Sequence, residues 1–315
     1  MNLSSPPTVL EKINFRAFVL LLFLFQVIFI FQGIDLSDEG FYATFYQQIF
    51  DHPESAQYNF MFWFSGIVGG TVHKLAPWLG LWGIRLAGVL VTTSTIVLTY
   101  NLLKDYLHKG YLKLGLLLVL LFINNNLKMV HYNDLSALLN MAVIFFLFRG
   151  IKQDKKGKLA IAGALVALST FTRLPNVLCL GLALAIIVHG WWNRRLLKAV
   201  VTDIVVFGLG FVVAAVVILA IMKLIGHLDI FLNSVRLLSK MGSGGDDSFY
   251  GPMVLIRNFP VARLSQLQVP RKIVLRNQNH RRCRLSRGEL PQEQLSRGDF
   301  SHPLAGLGHL GHIAT

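Results

Sequence analysis

The chain has two cysteines in 315 residues, little charge for its length, and no internal repeat or heptad pattern. Cys179 sits inside an apolar run and Cys283 in a polar stretch, so neither a disulfide framework nor a cysteine metal cluster can be built from them. Charged residues make up 15% of the sequence against 54% hydrophobic, and the mean hydropathy is +0.55. A soluble chain of this length would suggest roughly two domains, but this balance points to a different solvent and to a multi-span membrane protein. No small-residue cleavage pattern follows Phe31, so the first apolar run reads as a retained anchor and not as a signal peptide.

The net charge of +14 resembles a nucleic-acid signal only until it is divided along the chain. From Arg257 onward nine Arg and one Lys stand against three acidic residues, so +7 of the total falls in the last 59 residues. The rest lies mostly in short loops, where orientation is the ordinary explanation. The basic tail lacks aromatic interleaving or a nucleic-acid-binding motif, and no nucleic-acid partner is expected.

Apolar segments run near 17–33, 60–77, 83–103, 112–127, 135–149, 159–173, 175–192 and 200–222. If 60–77 lies in the interface and the other seven span, then Lys12/Arg16 and the basic loops 104–113, 149–158 and 194–198 fall on one side, as the positive-inside bias expects. A transmembrane hairpin is the competing reading of 60–77. The first reading gives an all-α, polytopic bundle of about seven spans with a cytoplasmic N-terminus and membrane-lying pieces in the first external loop. FYATFYQQIF and NFMFWFSGIVGG are rich in aromatic residues that favour the headgroup level. The segments 114–123 and 159–171 are short enough to end below the surface. Pro175 opposes a continuous helix through Leu174, which sets Arg173 at a break near the outer face.

Three regions follow: a transmembrane domain at 1–241, an external Gly-rich loop at 242–256, and a basic, irregular or disordered tail at 257–315. The tail favours Arg over Lys, the reverse of the preceding chain. That switch is the mark expected of an out-of-frame continuation, and the chain is read as truncated at its C-terminus.

The polar residues each admit two readings. Asp38 and Glu39 can cap an interfacial helix behind Ser37, or one of them can take a proton from an acceptor hydroxyl; a cap can also fix a base in place. Arg85 and Arg173 can snorkel to headgroups or hold a phosphate in paired hydrogen bonds. Lys128, His131 and Asp134 can form a solvated external turn, or contact a donor phosphate or a metal. His302, His309 and His312 lack a supporting acid cluster for metal binding.

In order, SDEGFYATFYQQIF, IRLAGVLVTTSTIVLTYNLL, YNDLSALLNMAVIFFL and LAIAGALVALSTFTRLP resemble the GT-C integral membrane glycosyltransferases. Protein O-mannosyltransferases and lipid A aminoarabinose transferases of family 39 type are such enzymes, and the likeness spans about residues 10–225. It implies a polyprenyl-phosphate sugar donor, a hydroxyl acceptor on a lipid, glycan or protein, and membrane lipids around the site. Asp38 would be the catalytic acid residue, with Glu39 a positioning or metal-contacting group. Arg85, Arg173, Lys128 and His131 would contact the donor phosphate. No cofactor is required by the resemblance, although a divalent metal is compatible with it, and Asp134 is the candidate ligand. The expected setting is a bacterial inner membrane with the site facing the periplasm. Where many members carry Lys-Pro-Pro after the first external helix, this chain has QYNFMFWF. A transporter or lipid flippase is the alternative function, although it would place charge at the midplane and repeat its halves. An inactive, truncated membrane protein is a third.

Overall fold

The computed structural model describes residues 8–31, 33, 38–123 and 129–243. The chain divides into two units, Met1–Ser248 and Phe249–Thr315, and every described residue belongs to the first. The external loop expected at 242–256 and the tail at 257–315 lie outside the described residues, apart from Gly242 and Ser243 at the end of the last helix.

Among the described residues there are eleven α-helices and no strand, as the apolar periodicity predicts. They are α1 (Thr8–Lys12), α2 (Phe15–Ile28), α3 (Asp38–Gln48), α4 (Trp63–Leu75), α5 (Gly80–Leu103), α6 (Lys109–Ile123), α7 (Tyr132–Lys152), α8 (Lys156–Thr172), α9 (Leu184–Trp192), α10 (Leu197–Leu224) and α11 (Leu228–Ser243). Tight 3₁₀ turns occupy Pro53–Phe62 before α4 and Leu174–Ala183 before α9. Four runs are long and apolar enough to cross a bilayer: Pro77–Leu103, Tyr132–Lys152, Leu174–Trp192 and Leu197–Leu224. Helix α2 with its 3₁₀ end, Phe15–Phe31, is a shorter apolar helix. At 1.5 Å per residue, α8 is about 25 Å long, short of a ~30 Å hydrocarbon core.

Helix α8 packs between α7 and α10. It meets α10 closely because Gly163 and Gly210 lack side chains: a Cβ on Gly163 would overlap the Phe207 carbonyl oxygen, and one on Gly210 the Ala160 carbonyl. Without water to drive helices together in lipid, such small-residue approach supplies the packing energy. Val212, Val213, Val216 and Val217 on α10 are exposed, an apolar stripe suited to acyl chains. Inside the bundle, Gln26 of α2 donates to Thr93 of α5 at 3.1 Å. A polar tie of this kind sets the register of two otherwise greasy helices.

The aromatic residues after Asp38 turn inward. Phe45 and Tyr46 on α3, and Ile49 just after it, are almost fully buried, as are Phe60 and Trp63. Their ring faces fit a glycine stripe on α4, where a Cβ on Gly66 would strike Phe45 and Ile49, and one on Gly69 would strike Tyr46. These side chains form one apolar core cluster with Ile84, Ala167 and Met222. Phe41 and Tyr58 of the same stretch remain exposed.

Candidate active site

One buried ion pair organises the start of α3. Arg85, in the second turn of α5, donates through Nε to Glu39 Oε1 at 3.0 Å and through Nη2 to Glu39 Oε2 at 2.6 Å. It also donates to the carbonyls of Ile30 at 2.6 Å and Gly33 at 2.9 Å. Arg85 is 3% exposed and Glu39 1%. A planar guanidinium matches a carboxylate in this two-pronged way, and the low surrounding polarity makes both groups depend on the match. The end of α2 and the first turn of α3 are thereby pinned to α5. Helix α5 enters at the right angle because Gly80, with φ +51°, closes the Pro77–Leu79 turn in a conformation that favours glycine.

Through Nε and both Nη atoms Arg85 serves Glu39 and two carbonyls, which makes it an internal strut in this arrangement. Glu39 accepts on both oxygens from Arg85, which suits a positioning group.

A second cluster forms where α3 meets the start of α7. Tyr46 donates to the Val130 carbonyl at 2.5 Å, and Val130 N donates to the Ile84 carbonyl at 3.2 Å, so residues 129–131 are held between α3 and α5. Burial pushes the Tyr46 phenol well above its usual value, with Tyr42 and Asp134 adding to the shift, so the phenol remains a donor. His131 caps α7 by accepting from Asn133 N at 3.3 Å through Nδ1. The Tyr42 ring meets His131 edge to face at 4.6 Å, and Tyr132 stacks on Phe62 at 4.1 Å.

Arg173 reaches the same cluster from the end of α8. The helix stops at Thr172, Arg173 is extended, and Pro175 opens the following 3₁₀ turn, the break anticipated from Pro175. Arg173 donates through Nη1 to Asn133 Oδ1 at 3.2 Å and lies over the Tyr132 ring at 5.4 Å. It is exposed, and among the described residues its side chain makes this one hydrogen bond. Asn176 fixes the break by donating to Ser136 on α7 at 2.8 Å and to the Ser169 carbonyl on α8 at 3.0 Å.

The structure thus brings together His131 and Arg173 near Tyr42, one helical turn beyond Asp38, with Glu39 and Arg85 bracing that helix from behind. Asp134 lies half-buried in the first turn of α7. Asp38 is the first residue of α3, its side chain and Ser37 lying outside the described residues, as does Lys128. Beside the start of α3, a cavity of about 440 Å³ opens between α3 and Pro53–Phe62, lined by Gly40, Phe41, Thr44, Ser55, Tyr58 and Asn59. Among the described residues no charged side chain lines it. Among the described residues no three of His, Cys, Asp and Glu converge as metal ligands. Tyr42, Tyr46, Asn133 and Asn176 were not singled out from sequence; the only signal was the i, i+4 spacing of Tyr42 and Tyr46 on one helix face.

A family model described as dolichyl-phosphate-mannose-protein mannosyltransferase matches residues 70–222. No curated protein and no solved structure matches the chain. The matched residues include Arg85, His131, Asp134 and Arg173 and exclude Asp38 and Glu39. The match is consistent with the GT-C resemblance read from the four sequence segments.

Proposed function

We propose that this chain, a membrane glycosyltransferase of the kind matched over residues 70–222, transfers a sugar from a polyprenyl-phosphate donor to an acceptor hydroxyl, with Asp38 as the base. The observation that carries this reading is the buried Glu39–Arg85 pair. It holds the first turn of α3, and with it the backbone of Asp38, in one place beside an uncharged cavity and an exposed arginine. Fixing a reacting group in advance lowers the barrier by removing the cost of orienting it later.

In the reaction, the acceptor oxygen attacks the anomeric carbon from the face opposite the donor phosphate and gives its proton to Asp38. The bond from that carbon to the phosphate oxygen breaks, and the phosphate leaves with the electron pair, so configuration inverts. Charge grows on the departing phosphate, where Arg173 offers donors that the Asn133 contact leaves unengaged. His131 and Asp134 frame the same turn. Lys128 is assigned to the donor phosphate by the family likeness alone. The site belongs on the external face of a bacterial inner membrane, because the basic turns gather at the opposite end of the bundle.

Reconstituted protein supplied with a labelled polyprenyl-phosphate sugar tests this directly. Transfer to a hydroxyl-bearing acceptor, with release of polyprenyl phosphate, is the expected result. Movement of intact donor across the bilayer without sugar transfer would replace the enzyme by a flippase.

A further inference from the structure

A cavity lies far from that site, at the turn between α9 and α10. It encloses about 760 Å³ and is lined by Ile187, Trp191, Trp192, Arg194, Leu197 and Val200, among others. This turn sits at the end of the bundle where α7 passes into α8, since Arg195 donates to Asp154 at 2.7 Å. Helix α7, about 31 Å long, separates it from Asn133 and Arg173.

The charges around this cavity are unequal in their engagement. Arg195 bridges Asp154 at 2.7 Å and Asp203 at 3.0 Å, so both nearby carboxylates are engaged by one cation. The Arg194 side chain has no hydrogen-bond or ion-pair partner among the described residues, and Lys198, outside the cavity lining, follows one turn later, also exposed. Arg194 moreover occupies a left-handed backbone position, φ +51°, in the turn that ends α9. Glycine is the residue that fits such a position without strain, and an arginine held there is an outlier that asks for a reason. The turn itself is well made: Arg195 N donates to the Gly190 carbonyl at 2.9 Å, and Gly190 lets Val200 close against α9.

The walls are apolar and the rim is aromatic. Trp191 and Trp192 are 79% and 80% exposed at the end of a membrane-crossing run, where amphipathic rings sit at headgroup depth. Ile187, Leu197 and Val200 offer hydrocarbon to whatever enters below them. Basic residues of the neighbouring turns, Lys152, Lys155 and Lys156, add to the positive field at this end.

We infer that this cavity is a binding site for one anionic phospholipid, its phosphodiester on Arg194 and the upper parts of its acyl chains against Ile187, Leu197 and Val200. A zwitterionic lipid suits it less, because its ammonium group would face cations while the two carboxylates are already held by Arg195. A basic pocket between spans at the positively charged membrane face is the arrangement that retains anionic headgroups.

Native mass spectrometry of the full chain released from detergent, after equilibration with phosphatidylglycerol or phosphatidylcholine, reads the bound lipid. Wild type should keep one phosphatidylglycerol about five-fold more strongly than phosphatidylcholine, and R194G should lose that preference by about the same factor. R194G is the informative variant because glycine relieves the turn, so its melting temperature should hold or rise while lipid retention falls. K155A, at the same end but off the cavity, should leave retention unchanged. Equal losses in R194G and K155A would reduce the effect to diffuse surface charge and overturn the site, as would equal retention of the two lipids. Displacement of phosphatidylglycerol by millimolar inorganic phosphate would assign the cavity to free phosphate and overturn the lipid assignment.

Discussion

Removing Arg85 should loosen the start of α3 more than any other single change near the site. Arg85→Ala leaves the Glu39 carboxylate, 1% exposed, without its cation, and leaves the Ile30 and Gly33 carbonyls without a donor. Breaking a buried pair from one side costs about 3–5 kcal/mol, because the remaining charge stays desolvated and unpaired. Against a typical total stability of ~5–15 kcal/mol, that is a large fraction. Replacing both partners, Glu39→Leu with Arg85→Met, removes the orphaned charge; the two carbonyls lose their donor in both variants and cancel in the comparison. The double variant should therefore be more stable than Arg85→Ala alone, a non-additivity of about 0.5–3 kcal/mol. Apparent melting temperature in detergent and amide hydrogen exchange along α3 read the effect. Additive losses, or exchange in α3 unchanged by Arg85→Ala, would refute the claim that this pair holds the helix.

Gly163→Ala should push α8 from α10, since the new methyl overlaps the Phe207 carbonyl oxygen; a loss of about 1–3 kcal/mol in unfolding measurements is expected. Tyr46→Phe removes the donor to Val130 and should cost about 1–3 kcal/mol, with faster exchange at residues 129–131. Burial lowers the pKa of His227 below its ordinary 6.5, and Trp63 donates to its Nδ1 at 3.1 Å, an arrangement open only to the neutral ring. The unfolded chain then binds the extra proton more readily, so stability is whole above 6.5 and falls as pH drops below it. Melting curves between roughly pH 5 and 8 should show that fall, and His227→Gln should flatten it.

The long spans were legible because a bilayer demands long apolar runs, and the segments near 83–103, 135–149 and 200–222 each lie within a described helix. The break at Arg173 was legible for a local reason, since proline at 175 constrains the residues before it. Pairings across the chain were not. Glu39 and Arg85 are 46 residues apart, and nothing in either local pattern says that they meet. Arg85 read as a phosphate contact because a basic residue near a span end looks alike whether it faces lipid, ligand or a buried carboxylate. The inward turn of Phe45 and Tyr46 depended on Gly66 and Gly69, a stripe visible in sequence whose partner only the folded chain identifies. Arg195 and Asp203 are similar: an acid six residues into an apolar helix becomes intelligible when its cation is seen at 3.0 Å.

The central claim is that the fixed first turn of α3 presents a base to an acceptor hydroxyl, and Asp38→Asn tests it most directly. In proteoliposomes with a labelled polyprenyl-phosphate sugar, the variant should fold and insert as wild type does. Transfer should drop by about 10²–10⁴-fold, the contribution expected of a positioned general base. Transfer within a few-fold of wild type would contradict the account and remove Asp38 from the chemistry.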